Sequence, residues 1–319
     1  MYEIDEARIT NVEKLVQASL ALYKWSRNNI VWYRGEAASR PEWKLAPSVY
    51  RATFSSAKDV EVELGFHFLR SAPTRYSSCP EPNDLAGWIT LMQHYRLPTR
   101  LLDWSSSVVV AAFFAVSETK YKDEDATLWV LNPGALNEAA GQPPGLIYHL
   151  ASPEVRKSLT PAFVRPASKE NQPKPEDMKT FAVLAREIDA RMMVQQAAFT
   201  LHGNPAPLDD MPGRDAFLKK FIIPRGAKVQ IEQHLRLLGI RRSTLFPDLA
   251  GLAEDLRDVE MEKAAEEVKQ ASASPTATGK ESDKPAQAPN IIYEIIAEES
   301  EDLPAIDPKS IPNCGYDAI

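Results

Sequence analysis

A chain of 319 residues with 44% hydrophobic content can bury the core of one large domain or of two ordinary ones. Its 37 Lys and Arg against 44 Asp and Glu give a net charge of -7 and a pI near 5.4. That balance argues against a protein whose main business is coating duplex nucleic acid, although a local basic groove fits inside an acidic total. Cys79 and Cys314 lie far apart and outside any ligand motif, so neither a disulfide framework nor a zinc site is supported. The first residues lack a basic region followed by an apolar run, and no later segment reaches membrane-spanning length. The expectation is a cytoplasmic protein without a membrane partner.

Apolar residues at helical spacing (Val12, Leu15, Val16, Leu20, Leu22, Tyr23, Trp25) predict a helix from Val12 toward Ile30. Ile30-Val31-Trp32-Tyr33 reads as a short buried strand that Arg34-Gly35 ends. Residues 41–48 read as a loop, and Ala57 to Leu69 as a helix with its acidic residues on the solvent side. Pro73, Pro80 and Pro82 make residues 71–83 irregular, and Asp84 is a natural N-cap for a helix over 85–93.

The next stretch, Gln93 to Trp104, concentrates a His, two Arg, an Asp and a Thr immediately before the most apolar segment of the chain. Pro98 biases Leu97 away from helix, so 94–104 reads as a turn, with Asp103 or Ser105 capping an interior helix that begins near Val108. That helix N-terminus beside Arg100 would suit a phosphate or carboxylate. Ala126 to Leu131 is a strong strand. From Glu138 to Pro175 prolines and glycines dominate, and 161–166 reads as a short extended piece. Residues 195–203 and 217–224 read as extended, Gln230 to Leu238 as a helix ended by Gly239, and Leu249 to about Glu266 as the last helix. Residues 271–289 have linker composition. The domain plan is therefore 1–269, a flexible linker 270–290 and an acidic tail 291–319, whose patch Ile291 to Ile296 docks as a strand or binds a protein partner.

Three pieces together carry a family resemblance: Tyr33-Arg34-Gly35, the run Pro98-Thr99-Arg100-Leu101-Leu102-Asp103-Trp104, and Ala111-Ala112-Phe113-Phe114-Ala115. They resemble the FRG domain family, named for its Phe/Tyr-Arg-Gly motif and met in bacterial and phage-associated proteins. Arg191 to Thr200 and Leu237 to Leu249 fit the same pattern, so the likeness runs from about Trp25 to about Leu256. More distantly, an Arg on a first strand is similar to the opening motif of ADP-ribosyltransferases of the Arg-Ser-Glu type. Ser105-Ser106-Ser107 is a crude counterpart of their second motif. Where they place a late carboxylate this chain has Gln195-Gln196, and Glu61-Val62-Glu63 comes too early to replace it.

The resemblance implies an α+β fold, a short mixed sheet covered by helices with an ADP-ribosyltransferase-like core. It also implies NAD as substrate, no metal, and a protein or nucleic-acid acceptor, in a toxin or antiphage effector. Arg34, Asp103, Gln196 and His94 are then the candidate catalytic residues. Tyr33, Arg34, Gly35, Thr99, Arg100 and Phe199 are the candidate NAD contacts, with Thr99 and Arg100 on the pyrophosphate. Each has a plainer reading: Arg34 pairing with Asp103, Arg100 forming a local ion pair with Asp103, His94 as a satisfied turn histidine, Phe199 as strand packing. The alternative function is a module without catalysis that recognises a nucleotide or phosphorylated partner through the same basic pocket.

Overall fold

The computed structural model describes residues 8–26, 30–51, 57–165, 174 and 178–273. The chain divides into two units, Met1–Lys263 and Ala264–Ile319. Of the second, only the helical residues 264–273 are described; the rest of the expected linker and the acidic tail with Ile291 to Ile296 lie outside the described residues.

The elements run α1 (Val12–Trp25), β1 (Trp32–Glu36), α2 (Ser48–Arg51), α3 (Ala57–Ser71), α4 (Leu85–His94), β2 (Leu101–Ser105), α5 (Val108–Val116), β3 (Ala126–Leu131) and α6 (Pro133–Ala139). After these come β4 (Tyr148–His149), α7 (Arg156–Leu159), β5 (Thr180–Leu184), α8 (Ala190–Val194), β6 (Ala197–His202), β7 (Leu218–Ile223), α9 (Arg225–Leu237), α10 (Arg242–Leu245) and α11 (Leu249–Ala273). The strands form one sheet in the order β4-β5-β6-β2-β1-β3-β7, antiparallel except for β4 beside β5. The fold is therefore mixed α and β, with a seven-stranded sheet. No helix among the described residues is long and apolar enough to cross a membrane.

Strand alternation sorts the side chains. On one face Trp32, Leu102, Trp104, Trp129, Ala198 and Leu218 make a core that spans the sheet. The opposite face carries two separate clusters, one around α5 with Tyr33, Leu128 and Phe221, the other with Leu101, Phe181, Phe199 and Leu201. Helix α5 is capped by Ser107, whose Oγ accepts from Val110 N–H, and is buried nearly all round. Asp84 caps α4 as expected, accepting from Gly87 N–H at 2.9 Å.

Several sequence expectations are corrected. Residues 101–105 are a strand, so neither Asp103 nor Ser105 caps α5. Arg34 and Gly35 continue β1 to Glu36 because β3 pairs with it along its whole length. The proline-rich middle contains β4 and α7, and β5 follows it. Residues 160–162 form a 3-10 turn, not an extended piece. The last helix reaches Ala273, since no Gly or Pro interrupts residues 252–274.

Candidate functional site

Strand β1 pairs with β3 at five positions, and β2 pairs with β6 at five. Between β1 and β2 only Tyr33 and Ser105 are paired. Beyond that point the two strands part, and a cleft of about 430 Å³ opens, lined by Tyr33 to Gly35 on β1 and Leu101 to Ser105 on β2. Gly35 has a packing reason: a Cβ there would lie 1.9 Å from the Ala111 carbonyl oxygen and 2.7 Å from Ala115 N, so only glycine lets α5 cross β1 this closely. The expected role of Gly35, close approach to a ligand, is thus replaced by close approach of a helix, although the residue still lines the cleft.

Arg34 bridges the gap. Its Nη1 donates to the Asp103 carbonyl oxygen at 2.9 Å, where no β1 backbone group is in register to do so. Its Nε lies 3.6 Å from Glu36 Oε1 and makes no hydrogen bond. The Asp103 carboxylate is exposed, and its Oδ2 accepts from Gln93 Nε2 at 2.8 Å. Gln93 is oriented in turn by the Thr99 hydroxyl, which donates to Gln93 Oε1. Thr99 is fully buried and outside the cleft lining, so it acts on Asp103 through Gln93 and not on the pyrophosphate side as expected.

Arg100 is the largest correction. It is 1% exposed and forks onto Glu61, Nε at 3.0 Å from both carboxylate oxygens and Nη2 at 2.5 Å from Oε2. Nη1 donates to the Ser158 carbonyl at 2.6 Å. In an extended chain residues three apart point to opposite faces, so Arg100 and Asp103 cannot form the local pair expected of a helical or turn segment. Glu61, expected on the solvent side of α3, is inside for the same reason: it neutralises Arg100.

Three other arginines join Arg34 around the cleft: Arg51 from α2, Arg96 just after α4, and Arg191 from α8. Burial lowers the Arg51 guanidinium from its ordinary value, and the nearby Arg34 charge lowers it further. Burial and the Arg96 charge do the same to Arg191, whose guanidinium also sits over the Phe246 ring, 4.7 Å from its centroid. The only acid in the lining is Asp103. Four cations that repel one another around one carboxylate form a site for an anion.

Arg96 has φ 61° and Gln196 φ 48°, the only two non-glycine residues with positive φ among those described. Such backbone is costly for a side chain and concentrates at functional sites. Both flank this region, but the Gln196 side chain is turned to Ser106, whose hydroxyl lies 3.1 Å from Gln196 Oε1. Gln195 lines the cleft instead, its Nε2 donating to the Leu245 carbonyl at 2.9 Å. His94 does not line the main cleft. It faces an adjoining small cavity together with Phe199, which lies in the core opposite Asp103 in register. Burial raises the Tyr33 phenol, which packs in the α5 cluster and lines the cleft. Of the sequence candidates, then, the cleft gathers Tyr33, Arg34, Gly35 and Asp103, and the side cavity adds His94 and Phe199. Arg100, Thr99 and Gln196 point elsewhere. Among the described residues no group of three or more His, Cys, Asp or Glu is placed to hold a metal ion.

The site thus defines an α+β protein with an arginine-lined cleft at the seam of its sheet. Residues 29–124 match the family model of the FRG domain. The match takes in β1, α2, α4 and β2, and so Arg34, Arg51, Gln93, Arg96 and Asp103, but ends before Arg191 and Gln195. No curated protein and no solved structure matches the chain.

Proposed function

We propose that the cleft binds NAD through its pyrophosphate and that the chain is an ADP-ribosyltransferase-like enzyme that breaks the bond between ribose and nicotinamide. The observation that carries this reading is the convergence of Arg34, Arg51, Arg96 and Arg191 on a cleft whose volume, about 430 Å³, falls in the range of small-molecule sites. A pyrophosphate relieves the mutual repulsion of Arg34 with Arg51 and of Arg96 with Arg191, and guanidinium groups match its oxygens in pairs. A further support is placement. Arg34 lies on β1, Ser105 ends β2, and Gln195 closes α8 two residues before β6 begins, and these three strands are neighbours in the sheet. In this reading they stand in for the Arg, Ser and late-acid motifs of the Arg-Ser-Glu enzymes, with glutamine in place of the acid.

In this reading Asp103, fixed by Gln93, stabilises the positive charge that develops on the ribose as the glycosidic electron pair leaves with neutral nicotinamide. Tyr33, Trp104 and Phe114 supply apolar wall. The second reading, recognition of a nucleotide or phosphorylated partner without chemistry, is favoured by one observation: Gln195 stands where a late carboxylate would stand.

Calorimetric NAD binding and nicotinamide release separate the two. Arg34→Ala and Arg51→Ala should each weaken NAD binding by about 1.5 to 3 kcal/mol, the scale of a hydrogen bond to a charged group. Arg34→Lys should rescue poorly. If the parent neither binds nor consumes NAD yet holds another phosphorylated ligand through Arg34, the recognition module replaces the enzyme.

A further inference from the structure

Beside the main cleft lies a smaller cavity of about 50 Å³, and the two share Gln93, Asp103, Arg191 and Gln195. Resting on the NAD-cleaving reading above, we propose that this annex is the acceptor site, that the acceptor is water, and that His94 is the base that deprotonates it. The reaction class is then hydrolysis of the nucleotide and not transfer to a protein.

Size is the first argument. A water needs about 10 to 15 Å³ of such space, so the annex takes about three to five waters. It has too little room for an arginine or glutamate head together with the stem it hangs from. Position is the second. Asp103 lines both spaces, so a ribose held against Asp103 from the cleft lies beside the annex.

The third argument is the histidine. His94 Nδ1 lies 2.7 Å from Asp189 Oδ2, and Asp189 is fixed as the N-cap of α8, accepting from Met192 N–H at 2.8 Å. That contact keeps a proton on Nδ1 and leaves the Nε2 lone pair free. Among the described residues nothing hydrogen-bonds to Nε2. The charged groups around the ring are Asp189 and Arg191 at α8, Arg96 after α4 and Asp248 before α11, with Asp103 across the annex. Burial, aided by Arg191 and Arg96 and opposed by Asp189 and Asp248, holds the imidazole below its ordinary value. It is therefore neutral, and able to accept a proton, at pH 7.

The step balances without a further reactant. The bond from ribose C1′ to the nicotinamide nitrogen breaks, and its electron pair leaves on neutral nicotinamide. The water oxygen bonds to C1′ and its proton passes to His94 Nε2, which returns it to solvent. The products are ADP-ribose, nicotinamide and one proton, and nothing is oxidised or reduced.

The test uses the full chain and NAD labelled in its adenine half. Calorimetric binding, nicotinamide release and the fate of the label are followed for the parent and His94→Gln. The parent should form free ADP-ribose in step with nicotinamide and leave no label on protein. His94→Gln should bind NAD as the parent does but turn over about 100-fold more slowly or worse, the scale of a lost general base. It should also lose the acidic limb of the rate profile, which in the parent lies below the ordinary imidazole range. Label attached to protein in place of free ADP-ribose, or an unchanged rate in His94→Gln, overturns the inference and leaves the NAD reading standing. A parent that binds NAD and releases no nicotinamide also overturns it. A parent that neither binds nor cleaves NAD removes the NAD reading itself, and the inference with it.

Discussion

Replacing Glu61 by Gln tests the reassignment of Arg100 from ligand contact to internal support. The Glu61 carboxylate accepts from Arg100 Nε, Nη2 and backbone N–H, the last at 3.1 Å, and both side chains are 1% exposed. Glu61→Gln keeps the shape and removes the charge, leaving the buried guanidinium with the Ser158 carbonyl and one neutral amide oxygen. Removing one partner of a buried pair costs about 3 to 5 kcal/mol. One acceptor oxygen survives in glutamine, so about 3 kcal/mol is expected. For a domain of this size that lowers Tm by roughly 6 to 12 °C. Urea unfolding followed by tryptophan fluorescence gives the free energy, and calorimetry gives Tm. The double variant Glu61→Leu with Arg100→Met should recover most of the loss, because apolar side chains of similar volume replace a buried pair at little cost. Its NAD affinity should equal that of the parent. A loss below about 1 kcal/mol in Glu61→Gln, or a well-folded double variant that binds NAD as weakly as Arg34→Ala, would refute the structural role.

Two further predictions concern the same unit. His202 is fully buried, and burial, with the Arg100 charge adding to it, pushes its imidazole down to about 3. The unfolded chain binds this proton near pH 6.5 while the folded chain does not, so stability falls as pH drops below 6.5 and the loss is complete near pH 3. The contribution is about 2 kcal/mol at pH 5. Urea unfolding at pH 7 and pH 5 should show that difference shrinking by this amount in His202→Gln, and an unchanged difference would contradict a neutral buried histidine. Gly35→Ala should cost about 3 kcal/mol or more, the upper end for overpacking, because the added carbon meets helix backbone at Ala111 and Ala115 that cannot step aside. A variant of normal stability that had lost NAD binding would return Gly35 to a ligand role.

Much of the fold was legible where the apolar period was long and uninterrupted: α1, α3, β3, β6 and β7 all lie near their expected places. β2 was not, because Pro98 and the polar residues of 93–104 look like a turn, and its pairing partner β6 lies almost a hundred residues away. Once β2 is a strand, alternation alone separates Arg100 from Asp103, a signal available in the sequence. What alternation cannot supply is Glu61, 39 positions upstream, whose burial is visible only through the guanidinium it meets. In the site, Arg34 and Asp103 were legible through their motifs. Arg51, Arg96 and Arg191 were not, since each is a single charge at a helix end and nothing local tells a cleft-facing arginine from a solvated one.

The seam explains why cations gather at this place. One face of the sheet carries a core continuous across β2 and β1, which holds the two strands in one sheet. The other face carries two clusters that stop short of each other, so the strands splay there without opening the core. Splaying leaves backbone groups of β2 without a partner on β1, and a buried or half-buried carbonyl without one is costly. Arg34 meets this need with one nitrogen, Nη1, on the Asp103 carbonyl. A guanidinium carries five N–H donors in a fixed fork, so the group that closes the seam with one Nη1 donor keeps further Nη donors for an anion, while its buried Nε lies toward Glu36. Lysine carries its three donors on a single nitrogen, so it cannot hold the carbonyl with one nitrogen and reach an anion with another. The residue that substitutes for missing strand pairing and the residue offered to the pyrophosphate are therefore the same, and a ligand held by Arg34 is held to both halves of the sheet.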